Sequence, residues 1–554
     1  MNTKALVKTT MCFTLLLAGC MTNESSNSGK KVVDVSIIER KQVANDYDTS
    51  NVEFIKISPS FQRLVEVEEN DLSLVSSDLF KNDEIVDRYL ADEKQSFPEV
   101  YTEVEGVLTF RGNHLRDGPS FGGIPIADNY QLSSQWSFST GFSQRWGGGA
   151  GWTGQPSIIK WDQQVRGMMN LKDEFKVKDD FVEVIYGSLD GRVYFLDLNS
   201  GEKTREPIYI GNPVKGSVSV DPRGYPLLYV GDGVPQNARF GHRIFSLIDQ
   251  SKLYFLNGND PLAYRNWGAF DSSPLINRLT DTFVVGGENG LFYKLKLNTE
   301  FNVEEAAINI APKPIKYRYQ VQGNYYQGIE NSVAAYANLA YFADNGGSIQ
   351  GIDLMTMEPF FTLPPLDDTD STIVIEVVDE HPYLYTGTEV DNVGRDGNAH
   401  IRKIDGLTGE VIWHKKFSAF YYPGVVGGVL ATPVLGKKSI DDLVIFTVAR
   451  YKQRYAGLMV ALNKQTGEEV WRWEMPHYAW SSPVDVYDED GKAFLVQGDS
   501  IGNLHLLEAR SGTIIDTVNL GANIEATPAV YENMIIVGTR GGKFYGIEIQ
   551  GFDD

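Results

Sequence analysis

One pattern recurs eight times along this chain. An apolar run, a Gly or small polar turn, a second apolar run and a closing turn span Val184 to Glu202 and return at Phe283, Tyr341, Phe494 and Ile535. Looser copies surround Leu228, Leu384 and Ile445. Anchored on their turns at positions 187, 231, 286, 343, 387, 449, 498 and 538, the copies lie 40 to 62 residues apart, the length of a four-stranded propeller blade with variable loops. A unit of this size cannot bury both faces of its own sheet, so neighbouring units must stack. The 554 residues therefore predict one large ring rather than several domains.

A second marker precedes the copies. Gln155-Pro156, Ser273-Pro274, Thr432-Pro433, Ser482-Pro483 and Thr527-Pro528 place a small polar residue before Pro, and Ser217-Val218 and Ser332-Val333 are Pro-free versions. These predict the innermost strands, where a short strand tolerates Pro at its start. The last copy ends near Ile549, one outer strand short, and Gln135 to Ser139 can supply that strand and close the ring, leaving no long open edge. The expected fold is all-β: an eight-bladed β-propeller of four-stranded antiparallel blades over residues 106–550.

The lead before residue 106 is of a different kind. Lys4 and Lys8 precede a mostly apolar stretch that ends in Leu17-Ala-Gly-Cys20. It is too short to span a bilayer, and reads as a signal peptide over residues 1–19. The ending resembles the bacterial lipobox. That resemblance implies lipid on Cys20, which becomes the new N-terminus, while Cys12 is discarded; these are the chain's 2 cysteines. Residues 20–105 form an acidic tether and extension. Between Phe61 and Val100 there are 11 acidic and 4 basic side chains, with an amphipathic helix expected around Asp83 to Ala91. Cleavage removes two lysines and no acid, so the net charge of −23 becomes −25. That balance disfavours a nucleic-acid partner, because phosphate binding needs a basic surface.

Two copies run on into a longer motif, Ile404-Asp-Gly-Leu-Thr-Gly-Glu-Val-Ile-Trp413 and Ala461-Leu-Asn-Lys-Gln-Thr-Gly-Glu-Glu-Val-Trp471. It resembles the tryptophan-docking repeat of quinoprotein-type (PQQ-like) propellers, which implies that Trp413 and Trp471 wedge between neighbouring blades. Phe110-Arg-Gly-Asn-His-Leu-Arg116, Gly149 to Pro156 and Val220 to Tyr229 look like a group of PQQ-binding-like repeat lipoproteins found largely in Gram-positive bacteria. The superfamily contains pyrroloquinoline-quinone dehydrogenases and also the cofactor-free outer-membrane assembly scaffold BamB, a lipoprotein. Enzyme and scaffold are thus both open. A dehydrogenase of this type would hold PQQ with Ca²⁺ on Glu, Asn and Asp, and the alcohol-oxidising ones add a vicinal cysteine pair that this chain lacks. Hard oxygen ligands are plentiful, and Asp391 to Asp396 comes nearest to a calcium loop. The seven histidines include no pair at zinc spacing.

Three residues before the marker lie Thr153, Asp271, Glu330, Trp480 and Glu525. If the copies superpose, these form an acidic ring with an aromatic member at one rim of the channel, a focused negative field that attracts cations or basic peptide segments. The alternative is a water-filled channel with a polar lining. Tyr421-Tyr422 and His477-Tyr-Ala-Trp480 offer an aromatic partner surface or packing under a loop. The reading favoured is a lipid-anchored, extracytoplasmic, non-catalytic scaffold that binds a protein or peptide at the cell envelope, with no cofactor. A quinone-dependent enzyme is the alternative, and carbohydrate binding a weaker one.

Overall fold

The computed structural model describes residues 64–68, 70–152 and 154–553. Cys20, the signal segment and Thr153 lie outside them. The described residues form an all-β, eight-bladed propeller. In each blade the repeat is the hairpin of the second and third strands. Its anchor closes the second strand: Val182–Gly187, Leu227–Gly231, Thr282–Gly286, Leu339–Ala343, His381–Gly387, Leu443–Ala449, Ala493–Gly498 and Met534–Thr539 for blades 1 to 8. These strands are almost wholly buried, since both faces pack on neighbouring blades. Their runs are accordingly continuous in Val, Ile, Leu and Phe rather than alternating.

The ring closes as the strand count requires. Asn129–Ser139 pairs antiparallel with Lys543–Phe552, from Ser139 opposite Lys543 to Asn129 opposite Phe552, so the outermost strand of blade 8 comes from the chain before blade 1. It is eleven residues long and begins six residues earlier than the Gln135 start expected from sequence.

Blades lock at their rims through tryptophan. Trp413 Nε1 of blade 5 donates to Lys464 O at 2.9 Å, and Trp471 Nε1 of blade 6 donates to Ala509 O at 3.1 Å. Each indole lies flat against the turn glycine of the next blade. A Cβ on Gly467 would meet the Trp413 ring at 2.8 Å and one on Gly512 the Trp471 ring at 2.5 Å. Both glycines have positive φ, +67° and +72°, so the turn needs glycine for its backbone as well as for the ring above it. Trp136 plays the same part at the seam, donating to Leu198 O at 2.8 Å over Gly201. The turns Leu198 to Gly201 and Ala509 to Gly512 are therefore receivers, whose tryptophan comes from the preceding blade.

The small polar residues of the inner-strand marker form a chain of bonds around the axis. The backbone N–H of Ser273 donates to Ser332 Oγ, that of Ser332 to Thr372 Oγ1, that of Thr372 to Thr432 Oγ1 and that of Thr432 to Ser482 Oγ, at 2.9 to 3.2 Å. Gln155 N donates likewise to Ser217 Oγ at 2.9 Å. The hydroxyls of Ser217, Ser332, Thr372, Thr432 and Ser482 satisfy the neighbouring blade, which explains Ser or Thr at those positions, whereas Thr527 Oγ1 is buried without a hydrogen-bond partner. The marker carbonyls point to the axis and are taken up by the segment Thr109 to Arg116. Arg111 donates to Pro433 O at 2.8 Å and Pro483 O at 2.5 Å; Arg116 donates to Val333 O and Ser273 O, both at 2.8 Å. Gln155, held by Arg111 N, reaches Pro528 O, and Thr109 reaches Pro274 O. Both arginines are fully buried, and burial pushes them down to about 10 and about 9. The segment plugs the axis, so the channel is a blind well.

The lead is part of this body. Val75–Lys81 pairs antiparallel with Lys313–Val321, the outer strand of blade 3, and Glu84–Val86 adds a further strand. The helix expected around Asp83 to Ala91 is not formed: Asp83 has φ +67° in the turn, and Ile85 and Leu90 are exposed. The nine-residue outer strand of blade 3 presents an edge whose backbone groups a strand satisfies and a helix cannot. The lead also bonds blade 4 through Asn70 N to Phe360 O and Ala91 N to Met355 O, and blade 2 through Glu103 N to Pro222 O.

Candidate functional site

The segments that join one blade to the next converge on a single mouth of the well. Three residues before the marker, the ring reads Lys215, Asp271, Glu330, Asp370, Leu430, Trp480 and Glu525 for blades 2 to 8. Three of the four acids occupy one arc. Blades 3 to 5 give Asp271, Glu330 and Asp370, while blades 6 and 7 give Leu430 and Trp480, which pack with Trp152 and Val426 in an apolar cluster. Glu525, on blade 8, is a further acid outside that arc: it lies 3.6 Å from Arg540, accepts from Asn523 at 2.9 Å and is also within reach of the Lys215 charge.

Lys215 sits among the acids. Its ammonium ion-pairs with Asp271 and lies 3.1 Å from Glu330 Oε1, with the Trp152 ring 5.8 Å away. Glu288, on the hairpin turn of blade 3, completes a trio with Asp271 and Glu330 whose ligand oxygens lie within 4.8 Å of one another. Glu288 accepts from Trp267 Nε1 at 2.9 Å and Glu330 from Asn345 Nδ2 at 3.2 Å. Beyond them lie Asp368, Glu389 and Asp391, all buried. Burial raises these carboxyls first. Asp271 rises to about 7, with Lys215 opposing and Glu330 adding to the shift. Asp370 rises to about 8, with Glu330 as the main like charge. Glu288, Asp368 and Glu389 are held well above the usual carboxylate range by burial first, and then by Glu330 and Asp271 for Glu288 and by Asp370 for Asp368 and Glu389. The arc is thus a set of buried carboxyls around one ammonium, each holding its proton to higher pH than a free carboxyl does.

Lys215 and Asp370 were legible in principle, since they stand in the same register before Val218 and Ile373. Lys215 precedes the recognised marker Ser217-Val218 but is neither acidic nor aromatic, and Thr372-Ile373, which Asp370 precedes, has neither the Pro nor the Val of the other markers. Glu288, on a different loop, becomes a member only through tertiary structure.

In the Asp391 to Asp396 loop no three carboxylates converge among the described residues. Asp367 accepts the backbone N–H of Asn392 at 2.8 Å, and among the described residues Asp271, Glu288 and Glu330 are the one carboxylate set close enough to share an ion. That trio does not fit a quinone and Ca²⁺ pair, because the Lys215 ammonium bridges Asp271 and Glu330 where the divalent ion would lie.

The aromatic runs divide. Tyr422 is exposed, whereas Trp480 is buried and Tyr478 lies under the Arg450 guanidinium, 4.0 Å from its ring. Other exposed aromatics on this face are Phe142, Tyr325, Tyr326 and Tyr455. They sit on blade-to-blade segments or, for Tyr455, on the hairpin turn of blade 6.

Residues 456–551 match the PQQ-type repeat family model described as outer membrane protein assembly factor BamB. Two curated relatives carry that same name. The one from Kangiella koreensis is 31% identical over 109 residues, 20% of this chain and 27% of the relative; the one from Shewanella oneidensis is 25% identical over 148 residues, 26% and 31%. The chain thus spans under a third of the length of these relatives. Among solved structures, the quinohemoprotein alcohol dehydrogenase from Comamonas testosteroni superposes with TM-score 0.52 at 13% identity over 81% of each chain, a likeness of fold alone. BamB from Moraxella catarrhalis gives 0.45 at 16% identity, over 75% of this chain and 97% of that one.

Proposed function

We propose that this PQQ-like repeat propeller, similar to BamB in its last blades, is a lipid-anchored, non-catalytic scaffold that holds a protein or peptide segment at the outer side of a cell membrane. The observation that carries the reading is the mouth of the blind well. A buried acidic arc with one internal cation faces an apolar arc of Trp152, Leu430 and Trp480, and exposed aromatics surround both. Focused negative potential steers a basic segment inward, and aromatic side chains on the rim supply contact area of the kind interfaces favour. The relatives' printed name, an outer membrane assembly factor, supports an envelope role. The Leu17-Ala-Gly-Cys20 ending supports the anchor.

Photo-crosslinking in the native envelope tests the scaffold. A crosslinker at Tyr325 or Tyr422 should capture a discrete protein, one at Gln465 on the opposite face should not, and the triple change Asp271→Asn, Glu330→Gln, Glu525→Gln should lower the yield. Equal labelling from both faces would reject the reading. For the anchor, Cys20→Ala should move the protein from the membrane to the soluble fraction, and continued membrane retention would refute lipidation there.

A further inference from the structure

The outer strands of blades 1 and 2 do not close on each other. Four residues after Gly201, where Trp413 and Trp471 follow Gly409 and Gly467, blade 1 has Arg205. Arg205 takes over the docking bond, donating to Leu247 O at 3.1 Å, and is held by the buried Glu183 at 2.6 Å. Pro207 follows, and it has no N–H to give the ladder. The outer strand shrinks to Ile208–Tyr209, two residues against six to eleven in the other blades. A cleft of about 500 Å³ is left, with Ile208 and Tyr209 on one wall and Arg239, Arg243, Lys252 and Phe255 on the other. That is the size of a small-ligand site.

We infer that this cleft binds a small phosphate monoester, with the phosphate between Arg239 and Lys252 and the organic body against Ile208 and Tyr209. Among the described residues no carboxylate lines the cleft, although the chain carries a net charge of −23. Arg243 is buried, and its charge is met by Asp232 at 2.5 Å. Arg239 and Lys252 are exposed and form no ion pair among the described residues; both gather at Phe255, 4.4 and 5.8 Å from its ring centre. An aromatic ring attracts cations without cancelling their charge, so two positive charges are held at one place and left unmatched. A phosphate monoester brings a charge of about −1.5 to −2 at neutral pH and three acceptor oxygens. That matches two cations, one of them a guanidinium whose fork suits phosphate, where a single carboxylate matches one. Tyr209, 61% exposed, and Ile208 supply the apolar wall for the body of the ester.

Calorimetric titration of the purified full chain with phenyl phosphate tests this, beside inorganic phosphate, phenylacetate and phenol. Phenyl phosphate should bind saturably and more tightly than inorganic phosphate or phenylacetate, and phenol should not bind. Arg239→Gln with Lys252→Gln should weaken phenyl phosphate about tenfold or more, equivalent to ~1.4 kcal/mol. Tyr209→Ser should weaken phenyl phosphate and leave inorganic phosphate unchanged. All three side chains are exposed, so both variants should melt with the wild type, which separates lost binding from lost fold. Absence of saturable binding, equal binding of phenylacetate, or phenyl phosphate binding that either variant leaves untouched would each overturn the inference. The cleft shares no residue with the mouth of the well, so neither result bears on the scaffold reading.

Discussion

Asp370 shows what a buried like-charge arc costs at the level of one residue. Its carboxyl, raised to about 8 by burial and by Glu330, faces Glu389 and Lys215 as well as Asp271. A carboxyl with a raised folded pKa carries extra protons in the native state between pH ~4 and that value. Its contribution to stability is therefore full below pH ~4 and is lost as pH rises through about 7 for Asp271 and about 8 for Asp370. Asp370→Asn removes one of the repelling charges. At pH 3.5, where the carboxyl is protonated folded and largely so unfolded, its melting temperature should match the wild type within about a degree, and at pH 8.5 it should exceed it by about 2 °C or more. A melting temperature at pH 8.5 no higher than wild type would show that the arc is not under charge strain.

Among the elements, the docking turns divide their work between adjacent blades. Trp413 is 8% exposed, fills the space over Gly467 and bonds Lys464 O. Trp413→Ala should cost about 3 kcal/mol, the lower end for a buried large aromatic, while Trp413→Phe, which retains most of the packing, should cost about 1 kcal/mol. Chemical denaturation of the two variants checks the order; equal losses would assign the stabilisation to the hydrogen bond. The strand Val75–Lys81 acts on the same scale, covering the outer edge of blade 3 with Leu79 packed in the same core as Tyr317 and Tyr319.

For the whole molecule, the plug decides whether eight blades enclose a pore or a well. Arg111 joins blades 6 and 7 and Arg116 joins blades 3 and 4, so two side chains tie together blades far apart in sequence. Arg111→Met leaves the Pro433 and Pro483 carbonyls without this donor inside the protein, at about 1–3 kcal/mol each. It should lower global stability by about 3 kcal/mol and speed hydrogen exchange in the inner strands of blades 6 and 7. Exchange unchanged there would mean that the axis is held by the hydroxyl chain alone.

The sequence by itself determined the ring: the number of blades, the hairpin that repeats, the early strand that closes the last blade and the Ser/Thr-Pro marker are periodic, and periodicity survives in one dimension. It also placed Asp271, Glu330, Trp480 and Glu525 at one level, because equivalent positions in a closed ring share a height. Only the tertiary structure decided the rest. That Lys215 sits inside the acids, that Glu288 joins them from another loop, and that Glu525 pairs with Arg540 instead are distances between segments that no spacing encodes. The plug was equally out of reach, since Arg111 and Arg116 bond backbone carbonyls, and a carbonyl has no residue identity to read. Expecting a helix in the lead failed for the same reason. Its local pattern is weak, and Glu84–Val86 folds back on Leu79–Lys81, a strand itself held on an edge more than 230 residues away, from Val75 opposite Val321 to Lys81 opposite Ile315.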